Sequence, residues 1–170
     1  MSSPLEKSLA YASLGMFEEA RALADECAGE IQNWDATEAW RVFLAYKSGD
    51  FPRVVKLGRR LLAHGKQATS VVEYTALALH HLGQSREAAS MILALEEITF
   101  SSLQSYLAAC FLAALGDSDE AIRHLLESLP GFRKEHGKTW LDRDLKCLWR
   151  VLAGGRFLQP RRGACGSARR

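Results

Sequence analysis

At 170 residues, with 48% hydrophobic and 25% charged content and a net charge of +2, the chain can bury one good core but not two generous ones. Its longest apolar runs, such as Leu107 to Leu115, fall well short of the roughly 20 residues that a bilayer crossing requires. No basic start with an apolar stretch and small-residue cleavage site follows Met1, and the cysteines at 27, 110, 147 and 165 form no close pair, which predicts a cytoplasmic protein in a reducing compartment with Cys27 and Cys110 as small apolar fillers.

Taken in chain order, the apolar periodicity predicts helices at Leu5–Leu14 and Phe17–Ile31, then Thr37–Lys47 and Phe51–Ala63. Two further pairs follow, Ser70–Leu82 with Ser85–Glu97 and Ser102–Leu115 with Ser118–Leu129. Pro52 falls where a helix start tolerates a missing amide, and Pro130 with Gly131 is expected to stop the eighth helix ahead of a polar, mobile loop from Gly131 to Lys138. A last helix is expected from about Asp142 to Ala153. There Leu141, Leu145, Leu148, Trp149 and Leu152 share one side, and Arg143, Lys146 and Arg150 the other. Residues 158–170 are small, polar and basic, and read as a flexible tail. Their four arginines carry +4, so the chain's +2 becomes −2 for residues 1–157.

Between the paired helices stand Gly15, Gly49, Gly83 and Gly116, spaced by 34, 34 and 33 residues. A period of this length marks a chain built by stacking one helical hairpin on the next. Each glycine is expected to end its helix in the left-handed conformation, and acidic residues (Glu18, Glu19, Asp50, Glu87, Asp117, Asp119, Glu120) follow at the next helix start. Five residues past each glycine comes a slim apolar residue, Ala20, Val54, Ala88 or Ala121, suited to a close crossing of the two helices.

The phrases YASLGMFEEAR, AYKSGDFPRVV, LHHLGQSREAA and FLAALGDSDEAI resemble the tetratricopeptide repeat. The repeat's small slot, seven before the glycine, holds Ser8, Val42, Ala76 and Ala109, and its bulky slot, four before, holds Tyr11, Ala45, Leu79 and Leu112. The second copy departs most, with Val42 and Ala45 exchanging the usual sizes and Gly58 in place of an apolar side chain. Where the repeat usually opens on tryptophan, this chain has Pro4, Glu38, Val72 and Ser105, although Trp40 stands nearby. The resemblance implies an all-α, right-handed α-α superhelix, a solenoid of four hairpins closed by a capping helix over residues 1–157.

It also implies a concave surface lined by the first helix of each pair. The inward slots would hold Leu5, Leu9, Ala12 and Ser13; Ala39, Phe43, Tyr46 and Lys47; Glu73, Leu77, His80 and His81; and Leu103, Tyr106, Cys110 and Ala113. Such a groove suits a partner's extended peptide or helix, with Phe43, Tyr46, Leu77, Leu103 and Tyr106 as anchors and Lys47, Glu73 and His80 as polar selectors. Phe43, Leu77 and Leu103 fit core packing as readily as groove lining, while the hydroxyls of Tyr46 and Tyr106 favour the groove. The expected role is a noncatalytic adaptor, scaffold or chaperone-like subunit, of which a bacterial secretion chaperone of similar size is one concrete form.

Other readings are weaker. Gly154–Gly155 lacks the lysine and preceding strand of a phosphate loop, and no cysteine has histidine and acid partners at a telling spacing, so no catalytic residue and no cofactor is expected. Adjacent histidines point about 100° apart on a helix, which argues against a metal held by His80 and His81 together. The lysine and asparagine clamp that captures chaperone tails is not matched by Leu5, Leu9, Phe43, Leu77 and Cys110. AYASLGMFEEARAL also resembles the RNA-reading pentatricopeptide repeat, but mildly acidic residues 1–157 offer no footprint for a polyanion. Self-association through Trp34, Trp40 or the uncapped N-terminal hairpin is the remaining alternative.

Overall fold

The computed structural model describes residues 3–26, 34–65, 68–96 and 101–136. All regular structure in them is helical: α1 (Pro4–Ser13), α2 (Phe17–Glu26), α3 (Trp34–Lys47), α4 (Phe51–Ala63), α5 (Thr69–His81), α6 (Ser85–Glu96), α7 (Ser102–Leu115) and α8 (Ser118–His136). The chain divides into two compact units between Gly83 and Gln84, the first holding α1 to α5 and the second α6 to α8. The expected capping helix, the basic tail and Cys27 lie outside the described residues.

Helix starts follow from their caps. Ser3 accepts from the Glu6 amide at 3.2 Å while the Glu6 carboxylate accepts from the Ser3 amide at 2.8 Å, a reciprocal box that starts α1 one residue earlier than periodicity alone predicts. Asp50 caps α4 by accepting from the Arg53 amide, with Pro52 in the first turn as expected. Ser101 does the same for α7.

The four repeat glycines are all left-handed, with φ between 77° and 85° at Gly15, Gly83 and Gly116 and 75° at Gly49. In three of the turns the glycine amide bonds back to the third residue before it, and the next amide to the fifth before itself: Gly15 to Ala12 with Met16 to Tyr11, Gly49 to Tyr46 with Asp50 to Ala45, and Gly116 to Ala113 with Asp117 to Leu112. This paired closure satisfies carbonyls that a helix end otherwise leaves open. The chain thus reverses within three residues, and antiparallel packing follows.

Burial repeats with the same period. Ser8, Val42, Ala76 and Ala109, seven before each glycine, and Ala20, Val54, Ala88 and Ala121, five after it, are all 0% exposed. In the first hairpin the crossing is close enough for the Ser8 hydroxyl to donate to the Ala20 carbonyl at 2.7 Å, and the Trp40 indole donates to that same hydroxyl at 3.0 Å. Ala20, Ala24 and Leu44 form the core beneath, flanked by Ala12, Phe17, Trp40 and Phe43. Tyr11, in contrast, is 37% exposed, so the bulky slot of the first copy is open where Ala45 and Leu79 are closed.

Gly58, the apparent misfit of the second copy, has a packing reason. A Cβ at Gly58 would stand 1.9 Å from Thr75 Oγ1, so α4 and α5 approach more closely than any side chain allows. Thr75 is β-branched and its hydroxyl donates to the Val71 carbonyl at 2.6 Å, which leaves it little freedom to turn away.

Charge joins α2, α3 and α4. Asp25 accepts from Arg41 at 2.8 Å and from Arg53, and Arg21 bridges Glu18 at 2.5 Å and Asp50 at 2.9 Å. Glu38, in the slot where tryptophan is usual, is 1% exposed and accepts from Arg41 at 2.5 Å and from Arg60. Burial opposes the charge on Arg41, but its hydrogen bonds to Asp25 and Glu38 outweigh this and raise its pKa above the ordinary arginine value.

The eighth helix departs from the sequence expectation. It runs through Pro130 and Gly131 to His136, over most of what periodicity predicts to be a mobile loop. Proline removes one amide and crowds one carbonyl, yet its fixed φ is itself helical. A helix already nucleated gains a bond for each residue added, so one missing bond does not end it.

Two substitutions test these contacts by urea unfolding. Gly58→Ala should cost about 1 to 3 kcal/mol despite alanine's better helix propensity, and the Gly58→Ala/Thr75→Ala pair should recover more than half of that loss. A more stable single variant would refute the close approach. Glu38→Ala, which leaves Arg41 with Asp25 as its remaining partner and frees the more exposed Arg60, should cost about 1 to 3 kcal/mol; a loss under about 0.5 kcal/mol would mean that the buried carboxylate carries little.

Candidate functional site

In the first unit every slot expected to face inward retains exposed surface: Leu5, Leu9, Ala12 and Ser13 on α1, Ala39, Phe43, Tyr46 and Lys47 on α3, and Glu73, Leu77, His80 and His81 on α5. The intervening α5 positions Val71, Val72, Thr75, Ala76, Ala78 and Leu79 are buried. With 3.6 residues per turn, positions 73, 74, 77, 80 and 81 form one stripe, and 39, 40, 43, 46 and 47 form its counterpart on α3, one period earlier.

The two stripes meet as a run of rings. Phe43 stacks on Trp40, with centroids 5.0 Å apart and planes 22° apart, and meets Tyr74 edge-on at 5.6 Å. Tyr46 lies 5.1 Å from Tyr74, 6.0 Å from Phe51 and 6.3 Å from His81. His81 is exposed and lies nearly flat on Phe51, at 4.4 Å and 11°. Contacts advance from Phe43 with Tyr74 to Tyr46 with His81, so α3 and α5 run parallel. Rings clamped by neighbours on two helices lose little further freedom when something docks on them, and that makes them effective anchors.

Lys47 Nζ sits 5.6 Å from the Phe43 centroid, a cation over an aromatic face. Of the expected site residues, the structure therefore joins Phe43, Tyr46 and Lys47 by direct ring or cation contact, and places Glu73, Leu77 and His80 on the adjoining half-buried α5 stripe. The His80 and His81 rings are 6.2 Å apart, and among the described residues no group of three or more possible metal ligands gathers there or elsewhere.

Leu103 and Tyr106 belong to the second unit, where the pattern changes. Leu103 is half-buried, but Tyr106 is 7% exposed, and α7 is buried continuously from Gln104 to Ala113, including Cys110. A helix apolar around its whole circumference behaves as a core element. The hydroxyl argument for placing Tyr106 at a groove surface does not hold in this packing, because its ring sits in a helix with no open side.

Trp40, Tyr74, Phe51 and His81 complete the cluster; His81 holds an expected inward slot, whereas Trp40, Tyr74 and Phe51 lie outside those slots. The signal was present in the period: Tyr74 stands 34 residues after Trp40, in a column beside the expected one. The side chain of Trp34, a candidate for self-association, lies outside the described residues. Among the described residues no helix is long and apolar enough to cross a membrane. No protein-family model matches the chain, and no curated protein matches it.

Burial pushes the Tyr74 phenol above its ordinary pKa, and the neighbouring Glu73 carboxylate pushes it the same way. The folded chain thus holds this proton more tightly than the unfolded one. Tyr74 contributes its stability fully below about pH 10 and loses it as pH rises through the raised folded value. Tyrosine carbon NMR, with Tyr74→Phe for assignment, should show this phenol titrating above the ordinary value and moving down in Glu73→Gln. An ordinary value in the wild type would mean that the ring is solvated.

Proposed function

We propose that this chain is a noncatalytic, cytoplasmic protein-binding module of tetratricopeptide type, an adaptor or chaperone-like subunit that captures a peptide or helix of a partner protein. In this reading the hairpins stack as a right-handed superhelix and the α1, α3 and α5 stripes form its inner surface. The observation that carries it is the half-exposed ring run from Trp40 through Phe43, Tyr74 and Tyr46 to His81, held on two parallel helices one repeat apart. A core needs no such exposure, and a plain solvated surface would not set five rings in stacked, tilted and edge-on contact along one run.

Further support comes from the repeated burial at the two small-residue slots and from the left-handed glycine turns, which treat all four copies alike. Anchors of this type, aromatic and ringed by partly shielded polar groups, are where truncation costs most in protein interfaces.

The test uses the full chain as bait against extract of its source cell, with Tyr46→Ala/Leu77→Ala as the paired bait. A partner held by the wild type should be lost by the variant, and calorimetry on the purified partner should show affinity lower by about 30-fold or more. Circular dichroism confirms that the variant remains helical. Equal affinity for both baits would overturn the assignment of this face.

A further inference from the structure

We infer that this aromatic face selects a polypeptide segment in which an acidic side chain stands within two residues of an aromatic or large aliphatic anchor. The inference rests on the reading that the face binds a polypeptide, and adds what that polypeptide must carry.

Charge accounting within the first unit leads to it. Arg21, Arg41, Arg53 and Arg60 are all engaged by carboxylates of the same unit: Glu18, Asp25, Glu38 and Asp50. Lys47 differs. It is exposed, it lies over the Phe43 ring, and it has no carboxylate partner among the described residues. One period later, on the parallel helix α5, the equivalent position is His81, also exposed and set against Phe51 and Tyr46. The α3 and α5 stripes therefore end on an unneutralised ammonium and on an imidazole.

The carboxylates of the face are elsewhere. Glu6 is occupied in its own helix cap, accepting from the Ser3 amide. Glu73 lies eight residues before His81 on α5, about 12 Å away along the helix. Along α5 the stripe thus runs from Glu73 through Tyr74 to His81, and along α3 from Trp40 and Phe43 to Lys47, so its basic groups gather at the C-terminal ends of both helices.

A simpler account of Lys47 and His81 is that cations in a last turn complement the helix dipole. That benefit depends on position along the axis and is indifferent to the side of the helix. It does not place the ammonium on the aromatic stripe with its charge 5.6 Å from the Phe43 centroid. There it stays open to solvent beside the rings, and a carboxylate that reaches it forms a charge-assisted hydrogen bond. The same 5.6 Å sets the spacing in the ligand. At about 3.4 Å per extended residue, an anchor over the rings and a carboxylate on Lys47 are one or two residues apart.

The selected group is a side-chain carboxylate in an internal segment. One lysine with no asparagine beside it offers no fork for a chain-terminal carboxylate, so amidating the C-terminus of a bound peptide should leave its affinity unchanged.

The experiment uses the full chain and pools of fluorescein-labelled, amidated dodecapeptides with a central Phe and degenerate flanks. In each pool the two positions on either side of the Phe are set to Asp, Ser or Lys. Fluorescence anisotropy should rank Asp pools about 10-fold tighter than Lys pools. Lys47→Glu, a surface change that spares the packing, should reverse that order, and Phe43→Ala should weaken all pools. Binding that falls in Phe43→Ala but shows no acid preference, or an acid preference that survives Lys47→Glu, overturns this inference while leaving the binding face intact. Absence of any pool sensitive to Phe43→Ala overturns both.

Discussion

The close crossing of helices at positions that carry almost no side chain governs the rest of this molecule. Ser8 and Ala20 meet with a serine hydroxyl on a backbone carbonyl at 2.7 Å, and the equivalent slots in the other three copies are equally closed to solvent. Close approach requires small residues, and small residues contribute little burial of their own. The apolar load falls on larger neighbours such as Leu44, Leu61, Leu79, Ile92, Phe111 and Leu125, packed around the crossings. Gly58 extends the same rule to its limit, since α4 and α5 touch where not even a methyl group fits.

In the first unit the α3 and α5 stripes stay partly open to solvent, and the chain lines them with rings. Packing alone favours branched aliphatic residues there, whereas flat rings half open to solvent satisfy one another in stacked, tilted and edge-on pairs and keep a surface available. The charged groups are arranged to match. Arg21, Arg41, Arg53 and Arg60 are engaged in the network around Asp25, Glu38 and Asp50, which neutralises their charge within the unit. What charge the ring face presents comes from shorter-range groups on its edges, and a ligand meets a surface that discriminates by position.

Much of this was legible in the residues. The glycine period located the turns and their left-handed backbone, and the small-residue columns located the crossings, because both depend on local chemistry that repeats without regard to partners. Where the described residues include them, helix boundaries were legible to within a few residues, except where a local signal was outweighed; the expected end of the second helix at Ile31 lies outside those residues. Pro130 and Gly131 oppose a helix one residue at a time, while propagation from Ser118 accumulates over several turns. Glu38 was visible as a departure, but not that two arginines from α3 and α4 would bury it.

The sequence by itself determined the helices of the described residues, four left-handed glycine turns and the small-residue columns buried in every copy, since these follow from backbone conformation and side-chain size at a fixed period. Only the tertiary structure decided which half-apolar columns stay open. Phe43 and Tyr46 keep exposed surface while Tyr106, in an equivalent apolar column, lies in a helix closed on every side. Periodicity reports which way a side chain points from its own helix, but exposure depends on what else packs there, and that is settled by contacts between residues far apart in the chain.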